Sequence, residues 1–194
     1  MPPIHRDRYL PATVRVPRLP PALRPGPFAT AAWQVLGLVA ANHVWTRGLA
    51  VFATTPPLEG PTPADLGALA VVSTIVWATL EELVFRGALF AWLRSRFDVP
   101  VAIFASAAAF AVLHAPALDA WVAFLIGLQL GALRQGRGLG LAVVAHVTSN
   151  LVFLAIGAVP EAVAIRHPAV FAVALAIAGS ALAALVQEVR RSMR

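Results

Sequence analysis

Two adjacent carboxylates and one guanidinium, Glu81, Glu82 and Arg86, interrupt the apolar run TLEELVFRGALF at positions 79–90. One charge at the centre of a bilayer costs about 2.5–3.5 kcal/mol on insertion scales, so a retained charge usually has a function or a partner. Glu82 and Arg86 have the i,i+4 spacing, acid first, in which a helical ion pair forms best. Glu81 lies about 100° away round the helix and lacks this partner. It is therefore a candidate general base.

Two further apolar stretches each carry a polar pair at helical spacing. Phe110 and His114 in FAVLH, and His146 and Asn150 in HVTSN, are i,i+4 pairs, so each motif presents two side chains on one helical face. At about 1.5 Å of rise per residue, these positions and Glu81 lie roughly 12–22 Å from the inner ends of their helices. Side chains from three helices can therefore meet in one layer.

The composition is typical of a membrane protein. Of 194 residues, 59% are hydrophobic and 12% charged, and the mean hydropathy is +0.78. Cys is absent, which excludes disulfides, thiol nucleophiles and a prenylated C-terminus. The net charge of +6 comes from Arg alone, and the Ala, Arg, Pro and Leu bias indicates a GC-rich bacterial genome. The Arg residues lie at segment ends without interleaved aromatics, which favours membrane lipids over nucleic acid as partners.

The pattern of apolar runs predicts an all-α, polytopic membrane helical bundle. Because lipid offers no partner for backbone amides, segments of about 20 apolar residues should cross as helices. Pro, Gly and charged residues separate the runs. The six predicted transmembrane helices are 28–52, 66–93, 99–114, 118–133, 138–158 and 169–189.

The distribution of Arg predicts the orientation, because cytoplasmic loops carry the excess of positive charge. With the N-terminus inside, the inner segments hold five, two, two and three Arg, and the outer loops hold none, none and one. We therefore expect both termini in the cytoplasm and a multi-pass protein of the bacterial inner membrane.

The predicted domain organisation is one helical domain with two tails. Residues 1–27 hold eight of the sixteen Pro, which predicts a disordered, Pro/Arg-rich cytoplasmic tail. A signal peptide is the competing interpretation. The apolar run that follows the tail is too long for the apolar region of a signal peptide and has no clear cleavage site, so this run is interpreted as an uncleaved first span. The helical domain is 28–189, with its core at 66–156, and 190–194 is a basic C-terminal tail.

The three polar motifs together resemble the CPBP family of intramembrane proteases. E-E-x-x-x-R at 81–86, F-x-x-x-H at 110–114 and H-x-x-x-N at 146–150 occur in that family's order. The family is also called CAAX prenyl protease 2-like, Rce1-like or ABI, and has a bacterial myxosortase-like branch. The resemblance covers about 66–156. It implies an intramembrane endopeptidase, named a metalloendopeptidase in the family's older usage, that acts on a membrane-associated or terminally processed polypeptide.

The resemblance also implies roles for single residues. Glu81 would activate water with His114, since a carboxylate in a low-dielectric setting is a stronger base than in water. His146 and Asn150 would form the oxyanion hole. The implied catalytic residues are Glu81, His114, His146 and Asn150, and the supporting residues are Glu82, Arg86 and Phe110.

Two alternatives remain open from the sequence. The first is a zinc-dependent protease with Glu81, His114 and His146 as ligands, although H-E-x-x-H is absent and the favoured reading requires no cofactor. The second is a non-enzymatic or transport protein, because midplane Glu and His also occur in proton relays. A transporter usually shows inverted repeats or broken helices, and neither is visible in the sequence.

Overall fold

The computed structural model describes residues 26–50, 67–114, 117–157 and 168–193. These residues form six helices and no strand, which confirms the predicted all-α membrane bundle. Most of the predicted N-terminal tail (1–25), the inter-helix segments 51–66 and 158–167 and the last residue lie outside the described residues. The helices are α1 (Pro27–Ala50), α2 (Ala68–Arg94), α3 (Val99–Val112), α4 (Ala117–Arg137), α5 (Leu139–Gly157) and α6 (Pro168–Ser192).

The outward face of the bundle is apolar, as a lipid-facing surface requires. Trp77 is 65% exposed, Phe104 59% and Val173 59%, on three different helices. Two helices in the described part, Ala68–Arg94 and Ala169–Arg191, are long and apolar enough to cross a membrane. The number of spans and the side of the termini stay predictions.

The other predicted spans are shorter or more polar than a simple crossing helix. At about 1.5 Å per residue the 14 residues of α3 extend only about 21 Å, and α4 carries Asp119 in its first turn and Arg134 and Arg137 in its last. At the C-terminal end, α6 continues through Arg190 and Arg191 to Ser192, so part of the segment predicted as a basic tail is helical.

The core lies where α1, α4, α5 and α6 meet. Leu38 of α1, Leu130 and Leu133 of α4, and Leu185 of α6 are buried in one cluster with the small side chains of α5. Gly138 separates α4 from α5 with a φ of +93°, a conformation that glycine adopts without strain. This single-residue connection brings the polar face of α5 against the other helices.

The helix α2 contains a π segment, Leu83–Leu89, that the sequence pattern did not predict. Backbone hydrogen bonds in such a segment reach five residues back, which widens the helix. Neighbouring helices bind its carbonyl groups: the Ser106 hydroxyl donates to the Phe85 oxygen at 2.9 Å, and Arg134 Nε donates to the Arg86 oxygen at 3.0 Å. Side chains of α3 and α4 therefore hold the segment that carries Arg86.

Substituting Gly37 tests the close approach of α1 to α6. A Cβ atom at Gly37 would collide with Ala181 Cβ, so Gly37→Ala should force the helices apart and lower the free energy of unfolding by about 1–3 kcal/mol. Thermal unfolding in detergent measures the change. Gly179→Ala on α6 is the matched control, since nothing lies within 4 Å of its added Cβ. Equal unfolding midpoints for the two variants would contradict the packing.

Candidate active site

Glu82 and Arg86 form the ion pair that their spacing predicts, and both side chains are fully buried. Arg86 Nη1 lies 3.0 Å from Glu82 Oε1, and 0% of either side chain is exposed. Arg86 Nη2 donates to the Gly127 oxygen of α4 at 3.2 Å, and the guanidinium carbon lies 4.4 Å from the centre of the Phe110 ring. The pair thus joins α2 to α3 and α4.

His146 lies between two carboxylates. Its Nδ1 is 2.9 Å from Glu82 Oε1, and its Nε2 is 3.8 Å from Glu81 Oε2. Because a carboxylate oxygen accepts, Nδ1 carries a proton and donates it to Glu82. Glu82 therefore orients the imidazole as well as pairing with Arg86. The spacing of residues within α2 does not predict the contact between His146 and Glu82, because this contact depends on how α5 packs against α2.

Glu81 is the more accessible of the two acids, with 29% of its side chain exposed. Its Oε2 lies 3.8 Å from His146 Nε2, which is too long for a direct hydrogen bond and within the range of an ion pair when the imidazole is protonated. This position of the Glu81 side chain agrees with the expectation that it faces away from the Glu82–Arg86 pair.

His114 lies just beyond the end of α3 at Val112, and its ring is fixed on one side. Its Nδ1 lies 2.9 Å from the backbone oxygen of Phe110. A carbonyl only accepts, so Nδ1 donates and Nε2 is left as the acceptor nitrogen of the neutral ring. The ring centre is 4.4 Å from that of Phe110, and Phe110 also meets His146 edge-on at 5.8 Å. Phe110 therefore packs between the two histidines.

All four predicted catalytic residues line one cavity of about 540 Å³. Glu81 of α2, His114 at the end of α3, and His146 and Asn150 of α5 all line it. The cavity is large enough for several residues of an extended peptide, within the range usual for binding sites. Aromatic and aliphatic side chains, Trp77 and Ile126 among them, make up much of the rest.

Several polar residues of the cavity were missed in the sequence. Asn42 and Thr46 reach it from α1, and Ser73 and Thr74 from α2. Asp119, which lies in the first turn of α4, also lines it. None of these residues belongs to a spaced motif, and only the packing of their helices brings them together.

The residues of the zinc alternative are not arranged as a ligand set. Glu81, His114 and His146 share the cavity, but in the described part of the chain no three His, Asp or Glu side chains converge to hold a metal ion. The Nδ1 atoms of both histidines face oxygen acceptors, Phe110 O and Glu82 Oε1, which leaves Nε2 as the metal-binding nitrogen of each ring. The three side chains would have to move closer together to form a tetrahedral zinc site.

Comparison with known proteins identifies the region that contains these residues. The model of the family described as type II CAAX prenyl endopeptidase Rce1-like matches residues 63–152. No curated protein and no solved structure matches the chain. The matched region includes all of α2 to α4 and most of α5, and it leaves α1 and α6 outside. The resemblance read from the three motifs is thereby confirmed for this region: residues 63–152 match an Rce1-like endopeptidase domain.

Proposed function

We propose that the chain hydrolyses a peptide bond within the membrane by means of a water molecule activated by Glu81. The observation that carries this proposal is the common cavity of Glu81, His114, His146 and Asn150, which come from three helices. A base, a second proton acceptor and two candidate oxyanion donors therefore face the same space. These are the groups that peptide hydrolysis requires.

The reaction begins with proton transfer from water to the Glu81 carboxylate. The water oxygen bonds to the scissile carbonyl carbon, and the carbonyl oxygen becomes an oxyanion. His114 Nε2 accepts a hydrogen bond from the same water and orients it, since its Nδ1 is already engaged with Phe110 O. When the intermediate collapses, the C–N bond breaks and protonated Glu81 returns its proton to the leaving amine.

Asn150 and His146 stabilise the oxyanion from α5. The Asn150 amide is a neutral N–H donor, so it can bind the developing negative charge in any protonation state of the site. His146 can donate from Nε2 only when both ring nitrogens carry a proton, because Nδ1 is committed to Glu82. In that state the imidazolium lies between Glu81 and Glu82.

No metal ion or other cofactor enters this mechanism. The side chains of the zinc alternative each have another role in it, with Glu81 as base, His114 as the orienting acceptor and His146 as an oxyanion donor. The proposal rests on the positions of these groups in the cavity.

We further propose a multi-pass arrangement in the inner membrane of a bacterium, with membrane lipids around the bundle. Arg94 ends α2, Arg137 ends α4, and Arg190 and Arg191 lie in the last turn of α6. Alternate helices thus end in positive charge, which supports cytoplasmic placement of those ends. The family description names a prenylated CAAX peptide as substrate. For a bacterial chain, a propeptide or a C-terminal sorting tail of a membrane-associated polypeptide fits better.

Comparing the membrane and secreted proteomes of strains with and without the gene tests the proposed function. We expect at least one polypeptide to keep a terminal segment in the strain that lacks the gene, and mass spectrometry of protein termini detects it. Reintroducing the wild-type gene should restore the shortened form. Identical termini in both strains, across membrane and secreted fractions, would contradict a processing role.

A further inference from the structure

A second cavity, of about 250 Å³, lies between α1, α5 and α6 beside the catalytic cavity. Three residues, Asn42, Thr46 and Phe153, line both cavities and form what we call the dividing wall. Apart from His43, Ser149 and the dividing wall, the second cavity is lined by aliphatic side chains. An apolar space thus adjoins the place where the proposed reaction occurs.

Two of the three residues of the dividing wall, Asn42 and Thr46, are polar and ordered by hydrogen bonds. Asn42 Nδ2 donates to Ser149 Oγ at 3.0 Å, and Thr46 Oγ1 donates to Asn42 Oδ1 at 3.2 Å. A side-chain amide has two N–H donors, and in the described part only one of those of Asn42 has a partner. The second is available to a peptide carbonyl at the edge of the catalytic cavity. The wall can therefore hold a peptide backbone while a side chain enters the apolar space.

The volume of the second cavity suits a large side chain. A water molecule occupies roughly 30 Å³ in the liquid, so 250 Å³ corresponds to roughly eight water-sized groups. A phenylalanine side chain comes closest to filling this space, a leucine side chain fills part of it, and an alanine side chain would leave most of it empty. An unfilled apolar space gives up the contacts that favour binding.

We propose that the second cavity binds a bulky apolar side chain of the polypeptide substrate, adjacent to the scissile bond. This inference rests on the proposed function, because it assumes that the peptide bond is cleaved in the neighbouring cavity. The pocket is built by α1 and α6 together with α5, and α1 and α6 lie outside the matched region 63–152. Helices outside the Rce1-like domain therefore set the side-chain specificity of this chain.

Filling the pocket tests the proposal. The probes are synthetic peptides with the cleavage-site sequence of the polypeptide that stays unprocessed in the strain lacking the gene. The residues that flank the scissile bond are varied among Ala, Leu and Phe. We expect the purified wild-type chain to cleave the Leu or Phe peptide with a kcat/KM about tenfold or more above that of the Ala peptide. Ala174→Leu, which fills the pocket, should remove this preference while the Ala peptide is still cleaved.

Ala176→Leu is the matched control, because Ala176 is exposed on the same helix and lines neither cavity; it should keep the wild-type preference. If Ala174→Leu does not fold, Ile177→Ala replaces it, since the enlarged pocket should raise cleavage of the Phe peptide relative to the Leu peptide. An unchanged ranking of peptides in the folded variant would overturn the proposal, as would an equal fall for all peptides.

Two further measurements separate the possible failures. The first is the phospholipid that copurifies with each protein. If it copurifies with the wild-type chain but not with Ala174→Leu, and the ranking of peptides is unchanged, the occupant is a lipid chain and the proposal is overturned. Glu81→Gln on the same peptides reports on the reaction itself. If Glu81→Gln cleaves at the wild-type rate, the proposed function is refuted. If Glu81→Gln is inactive and Ala174→Leu keeps the wild-type ranking of peptides, only the proposed side-chain pocket is refuted.

Discussion

Glu81→Gln is expected to lower the rate of peptide cleavage by about 10²–10⁴-fold, the usual contribution of a general base. Glutamine keeps the shape of the side chain and cannot accept the proton of water. Glu81 is 29% exposed and approaches His146 only at 3.8 Å, so the fold should tolerate the change. Purified protein, assayed on the polypeptide that accumulates without the gene, provides the rates, and thermal unfolding in detergent checks the fold.

Glu188→Gln is the matched control for this substitution. Glu188 pairs with Arg137 between α6 and the end of α4 and does not line the catalytic cavity. We expect it to leave the rate of cleavage unchanged. A Glu81→Gln protein that is as active as Glu188→Gln would show that another group activates the water.

Arg86→Met is expected to lower the free energy of unfolding by about 3–5 kcal/mol, since it leaves a buried carboxylate without its counter-charge. The substitution removes the 3.0 Å pair with Glu82, the hydrogen bond to the Gly127 oxygen and the contact with the Phe110 ring. Thermal or denaturant unfolding in detergent measures the loss.

Arg94→Met on the same helix is the control, because Arg94 makes an exposed hydrogen bond to the Phe97 oxygen and an exposed contact usually contributes about 1 kcal/mol or less. The double variant Glu82→Gln, Arg86→Met should recover part of the stability lost by Arg86→Met alone, since no unpaired charge remains buried. Equal stability of Arg86→Met and Arg94→Met would contradict the role of the buried pair.

The helices and the motifs they carry follow from the sequence because hydrophobic runs and i,i+4 spacing are local properties. The predicted start of the third span at Val99 is the first residue of α3. The break predicted between 133 and 138 is shorter in the structure, because α4 continues to Arg137 and Gly138 alone connects it to α5. The pairing of Glu82 with Arg86 likewise needs only one helix.

Contacts between helices could not be predicted in the same way. The bond from His146 to Glu82 depends on the approach of α5 to α2, and the entry of Asn42 into the cavity depends on the packing of α1. The π segment is another case, since its carbonyl groups are bound by Ser106 and Arg134 of neighbouring helices. A single sequence contains no periodic signal for these contacts.

The most direct measurement is cleavage of the identified polypeptide by the purified wild-type chain in water enriched with oxygen-18. If water activated by Glu81 attacks the scissile carbonyl, the new carboxyl terminus should carry one oxygen-18 atom, seen by mass spectrometry as a gain of about 2 Da, and Glu81→Gln should form almost none of this product. A new terminus without oxygen-18, or one joined to another amine, would contradict hydrolysis by water at this site.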